Sequence, residues 1–179
     1  EALGRNVAAT SFDSRNGPEQ LICKMTDSKT TVFERIAAFV QSSDEDVAIA
    51  QIDGLALSHG VDPKRIVEDE IMTRAELDLL LIDPLAALGA HTMTHPNLAR
   101  VCVERLSEEM RRSAEIVSDY AGRRVTTFSY PYGGGHAVSE RETQTAQELG
   151  FEIAVTTQPG DLKNESLGAP TALKRVSLN

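Results

Sequence analysis

Apolar residues in the first half of the chain recur at helical spacing. Val32, Phe33, Ile36, Phe39 and Val40 fall three or four positions apart between Thr31 and Val40, which puts them on one side of a helix. Asp46 to His59 is a second apolar, alanine-rich stretch of helical character, interrupted by Gly54. Pro63 suits a first helical turn, where its missing N–H would have no partner anyway, and Arg65–Ile71 continues a third helix. Thr73 and Glu76 stand at capping-box spacing, each side chain able to reach the other's free backbone N–H. The helix they open runs to Leu81 and has to stop before Pro84. Residues 19–82 therefore predict a largely helical insertion.

From Leu85 the pattern shortens. Ala86–Ala90 is a small, apolar run that reads as a buried strand. Ser107 caps a helix reaching Tyr120, with Glu108 and Glu109 favourable at the positive end of its dipole and Gly122 ending it. Val125–Tyr130 is β-branched and aromatic, the composition of a strand. Ser139–Glu142 is a second capping box, Gly150 a helix C-cap, and Phe151–Thr156 the next strand. Strands joined through helices by short links predict a parallel sheet with right-handed crossovers, in which 86–90, 125–130 and 151–156 are neighbours.

Two motifs follow strands immediately. His91-Thr-Met-Thr-His95-Pro96 comes after the first, and Pro131-Tyr132-Gly133 after the second. Both then lie at the C-terminal edge of the sheet, where α/β barrels gather their catalytic residues. Histidines four residues apart would be about 13 Å apart on an extended chain. A single helical turn brings such residues to about 5–6 Å between Cβ atoms, close enough to share a metal ion. The pair lacks the glutamate of the His-Glu-x-x-His proteases, since Thr92 stands in its place.

Taken together the two motifs resemble the polysaccharide deacetylases, the carbohydrate esterases with a NodB-homology domain. His91, Thr92, His95 and Pro96 match that family's His-[Ser/Thr]-x-x-His-Pro, and Pro131, Tyr132 and Gly133 match its Pro-Tyr-Gly. The resemblance covers about 72–179 and implies an α/β fold, a distorted (β/α) barrel, over a single domain of 1–179. It implies His91 and His95 as ligands of a divalent metal, zinc above all, with cobalt or manganese able to substitute. It also implies the backbone N–H of Tyr132 as an oxyanion donor, and Pro131, Tyr132 and Gly133 as a wall of the sugar site. The reaction implied is hydrolysis of the N-acetyl amide of an N-acetylated glycan, which a metal assists by activating water and polarising the carbonyl.

The match is incomplete. The family's Thr-Phe-Asp-Asp-Gly, which supplies the base and a metal carboxylate, is absent. Val7–Phe12 resembles the family's second strand, so the chain reads as lacking the first βα unit, with the base upstream. A rival alignment makes Asp13 the surviving carboxylate, against a turn over Asp13–Pro18 whose Asp, Asn, Gly and Pro suit one. Ser129 stands where many members carry an arginine that holds the base, and Leu173–Leu178 lacks the late histidine that serves as general acid. Two other readings stay open: a non-catalytic descendant that binds glycan or a partner, and an α/β domain whose histidines bind nothing. An interrupted barrel would leave a sheet edge able to pair with a second copy.

Composition narrows the partners. A net charge of −9 argues against a nucleic-acid backbone as partner, which calls for a basic face. No apolar run approaches about eighteen residues, so no membrane-spanning helix is expected. The start carries no signal-peptide pattern, with the cytoplasm the default expectation. Cys23 and Cys102 read as two buried free thiols rather than a disulfide framework. Gly133–Gly135 lacks the Lys-[Ser/Thr] of a phosphate-binding loop, His136 reads as a loop residue, and the charges of Glu140–Glu148 read as a solvated face.

Overall fold

The computed structural model describes residues 9–14, 17–22 and 26–176. The chain divides into two compact units, Glu1–Met72 and Thr73–Asn179.

The first unit begins with an antiparallel hairpin of β1 (Ala9–Ser14) and β2 (Gly17–Ile22), in which Asp13 lies across from Pro18 and Ser14 from Gly17. Residues 15 and 16 and the direction of the Asp13 side chain lie outside what is described, and with them the choice between Asp13 as a turn residue and Asp13 as a carboxylate of the site. The hairpin corrects two expectations. Residues 19–22 are strand rather than helix, and Ala9–Phe12, the described part of the 7–12 segment, pairs antiparallel with the segment that follows it. Ladder pairing between the two short segments outweighs their weak helical pattern. Three helices follow, α1 (Thr26–Ser42), α2 (Glu45–Ser58) and α3 (Pro63–Glu70). Asp44 caps α2 by accepting from the Val47 N–H, and Asp62 caps α3 by accepting from Lys64, with Pro63 at the first position. Gly54 does not interrupt α2.

The second unit opens with α4 (Arg74–Leu80), whose capping box forms as expected: Glu76 accepts from the Thr73 N–H at 2.7 Å, and Thr73 Oγ1 accepts from Glu76 N at 3.3 Å. Its sheet consists of β3 (Thr127–Ser129), β4 (Ile153–Pro159) and β5 (Leu173–Arg175) in that order, all parallel. α5 (Val103–Ala121) precedes β3 and α6 (Glu140–Glu148) runs between β3 and β4, giving the alternating α/β order that the sequence predicts. Gly122 (φ 63°) and Gly150 (φ 82°) close these helices in the left-handed conformation.

The expected strand at 86–90 shrinks to one residue. Ala90 bridges Phe128 in parallel, donating to Thr127 O and accepting from Ser129 N, both at 2.9 Å. Its partner β3 is only three residues long, so little ladder is available, and Gly89 stabilises extended backbone poorly. β5, not expected as a strand, adds to β4 on the other side. A (β/α) barrel closes on about eight parallel strands; the described residues supply three parallel strands and this bridge.

The core lies between sheet and helices. Leu106 and Met110 from α5, Ala146 from α6, Phe128 and Ala154 from the strands, and Tyr130 and Phe151 beside them are buried, with Phe128 packing its ring against Tyr130 and Phe151 at 5.1 Å each. Three expectations about α5 and α6 are corrected here. The α5 helix starts one turn before Ser107, at Val103, because burying Leu106 draws the preceding turn into the helix. Cys102 is its N-cap and is exposed rather than buried, since a cap position faces water; Cys23 lies outside the described residues. Finally, Glu142 is fully buried rather than part of a solvated face. Its carboxylate accepts from the Ser139 N–H and hydroxyl, each at 2.7 Å, and from Arg141 Nε at 2.6 Å. Burial opposes its ionisation, but Ser139 and Arg141 outweigh burial and hold the carboxyl below the ordinary glutamate range.

Candidate functional site

The chain leaves the sheet at Ala90 and runs directly into the histidine motif. The expected helical turn between His91 and His95 is not there. A loop replaces it, with Thr92 (φ 65°) and His95 (φ 60°) both left-handed. Such backbone costs a non-glycine residue about 1–3 kcal/mol, so the loop needs fastening. Thr92 Oγ1 accepts from His95 N at 3.1 Å, which closes the loop on itself. Glu109, from α5, accepts from Met93 N at 2.8 Å, Thr94 N at 3.0 Å and Thr94 Oγ1 at 2.7 Å. Hydrogen bonds to a charged group contribute about 1.5–3 kcal/mol each, enough to offset the two left-handed residues. Arg141, from α6, secures the next segment by donating to Leu98 O at 2.6 Å and Val101 O at 3.1 Å.

This loop places the two imidazoles edge to face, with ring centres 4.9 Å apart. His91 Nδ1 lies 2.6 Å from the Ser129 carbonyl oxygen. A carbonyl only accepts, so Nδ1 carries a proton, and in the neutral ring it is Nε2 that keeps a lone pair. A metal-binding histidine is held in just this manner, its other nitrogen donating to a carbonyl or carboxylate. Burial, and then the neighbouring His91, push the His95 pKa below the ordinary histidine value. Its neutral form, the only one able to bind a metal, is therefore favoured.

The second motif faces the first. The Tyr132 ring lies 5.1 Å from that of His95, again edge to face. Tyr132 is also left-handed (φ 60°), so every non-glycine residue of positive φ among the described residues belongs to one of these two motifs. Gly133 follows at φ 63°, where a Cβ would sit 2.6 Å from the Thr157 nitrogen. Thr157 at the end of β4 ties the turn down, donating its N–H to Gly133 O at 3.0 Å and its hydroxyl to Tyr132 O at 2.7 Å. Pro131 and Gly133 are buried and Tyr132 half-buried.

His91, His95, Pro131, Tyr132 and Gly133 are thus brought together. His136 is exposed in the loop beyond and no contact joins it to the pair. The arrangement offers two imidazole donors, and among the described residues no set of three histidine, cysteine or acidic side chains gathers around one point. The two imidazoles would suit two positions of a metal site, and a third donor would have to come from outside that set. Sequence reasoning missed Glu109, Arg141 and Thr157. Glu109 could have been suspected, as a charge between Leu106 and Met110 on the apolar side of α5.

Comparison with known proteins identifies a family. The family model for polysaccharide deacetylase matches residues 27–154, well over half of the chain. A Bacillus subtilis (strain 168) protein, by name the polysaccharide deacetylase YxkH, is 27% identical over 74 residues, covering 41% of this chain and 25% of that protein. Among solved structures, BC0361 from Bacillus cereus, a polysaccharide deacetylase, aligns with a TM-score of 0.52 at 22% identity, covering 59% of this chain and 32% of the other. The Streptococcus pyogenes deacetylase PplD, in complex with acetate, aligns with a TM-score of 0.52 at 16% identity, covering 71% and 57%. The chain thus spans a quarter of the length of the curated relative and a third to just over half of these two structures.

Proposed function

This chain belongs to the polysaccharide deacetylase family, and from that membership we propose that it carries part of the active site of a metal-dependent deacetylase acting on an N-acetylated glycan. The single observation that carries the reading is the fixed ring pair: His91 and His95 edge to face beside Tyr132, with His91 Nδ1 tied to the Ser129 carbonyl. His91 through Nε2 and His95 through a ring nitrogen are the proposed ligands of a divalent ion, zinc first, with cobalt or manganese as substitutes. Such an ion, when bound, polarises an amide carbonyl and acidifies water.

The chain's own residues do the rest. The Tyr132 backbone N–H is the proposed donor to the oxyanion that develops on the amide oxygen, in a turn tied down by Thr157. The Tyr132 ring, with Pro131 and Gly133, forms the wall against which a sugar ring stacks. Two carboxylates are still required, one as base and one as third ligand, and both are proposed to come from a segment outside the described residues. We further propose that the parallel sheet belongs to a distorted (β/α) barrel.

Acetate release from N-acetylglucosamine oligomers, with zinc and with chelator, tests the reading in this chain joined to a Thr-Phe-Asp-Asp-Gly-bearing first βα unit. Turnover that requires metal and is lost in both His91→Ala and His95→Ala is expected. Turnover indifferent to chelator would overturn it.

A further inference from the structure

We propose that Glu109 is a positioning residue for the histidine pair, its carboxylate holding the intervening loop in the conformation that brings the two rings together. The purpose of the pair rests on the reading above; the hold itself is carried by geometry. Glu109 shares the inward face of α5 with Leu106 and Met110, and its side chain is only 8% exposed. A carboxylate in such a place must find donors or lose its charge. Three of its donors come from two consecutive residues, Met93 and Thr94, which lie between the histidines. Arg105, one turn earlier, lies 3.7 Å from Oε1 and offsets the charge.

The backbone shape explains why an anion is needed. Left-handed residues at Thr92 and His95 turn the peptides between them so that two successive N–H groups point to one place. Such a concave pair of N–H groups is an anion cradle, and Glu109 fills it from within the protein. Without the carboxylate those N–H groups face a buried helix with no acceptor, and the strained backbone on either side is free to relax. Relaxation would turn His95 away from His91, because only the loop joins the two. The carboxylate touches neither ring. It acts through the backbone.

The test compares the wild-type chain with Glu109→Gln, which keeps size but turns one acceptor into a donor facing donors. Amide hydrogen exchange, nuclear Overhauser effects between the two imidazole rings, and titration with cobalt(II) alone are measured on both. In wild type the Met93 and Thr94 amides should exchange at least about tenfold more slowly than an exposed loop amide. In Glu109→Gln that protection and the ring-to-ring effect should be lost, while the amides of Met110 and Ser113 within α5 stay protected. Cobalt affinity should fall about 10–100-fold, as for partners that orient metal ligands.

A lower melting temperature with unchanged ring contacts and cobalt affinity would mean a merely structural role and would overturn the proposal. So would unprotected Met93 and Thr94 amides in wild type, a measurement that stands even if the variant fails to fold. Loss of the ring contact in Glu109→Gln, in a chain whose wild type binds no cobalt, would support the hold while sinking the metal reading. Intact ring contacts in the variant, with cobalt bound as in wild type, would do the reverse.

Discussion

Gly133 shows how little freedom the site leaves at a single residue. Its φ of 63° disfavours any side chain, and an added Cβ would press 2.6 Å from the Thr157 nitrogen, a backbone atom that cannot swing aside. Gly133→Ala should therefore destabilise the chain by about 1–3 kcal/mol, read as a lower melting temperature, and should shift the resonances of Tyr132 and Thr157. Glu142 makes a second prediction at this scale. Its carboxyl is held below the ordinary glutamate range, so its contribution is complete above that range and disappears as pH falls through the lowered folded value. Glu142→Gln should cost about 1–3 kcal/mol near neutral pH, and the gap to wild type should close in acid denaturation below about pH 4. A gap that stays constant with pH would show that the carboxylate charge plays no part. Among single residues, His91, His95, Pro131, Tyr132 and Gly133 were legible because their identities and order form a motif. Glu109 and Thr157 were not, because what they hold is fifteen or more positions away in sequence and joined to them only by folding.

At the scale of elements, punctuation was read more accurately than extent. Both capping boxes, Pro63 at a helix start, and Gly122 and Gly150 at helix ends lie where local chemistry puts them. The lengths were set by partners. Ala86–Gly89 does not extend the sheet because β3 offers only three residues, and α5 begins early because Leu106 is buried. The hairpin of β1 and β2 was missed for the same reason, since its helical or parallel reading ignored the segment that folds back on it. Caps should thus be worth their local value and no more. Thr73→Ala, which removes the hydroxyl that accepts from Glu76 N, should lower stability by about 0.5–2 kcal/mol without altering the histidine loop, as judged by unchanged His91 and His95 resonances.

For the whole molecule the division at Met72 and Thr73 is the governing fact. The core of Leu106, Met110, Phe128, Tyr130, Phe151 and Ala154 belongs entirely to the second unit, as do both motifs. Thr73–Asn179 expressed alone should therefore unfold cooperatively and keep the ring contact between His91 and His95, which calorimetry and proton spectra would check. The parallel α/β sheet and its site-bearing edge could be read from the order of strands, helices and motifs. The antiparallel hairpin of the first unit could not, since neither its pairing direction nor its partner is written in local periodicity.

The central claim is that the two histidines form one metal site, and cobalt(II) titration of this chain, followed by its absorption spectrum, tests it most directly. One ion per chain should bind, with the affinity rising with pH as the imidazoles lose their protons and with His95, whose pKa is lowered, remaining competent below the ordinary histidine range. His91→Ala and His95→Ala should each abolish the spectrum. An unchanged spectrum in either variant, or none in the wild type at any pH up to about 8, would contradict the account.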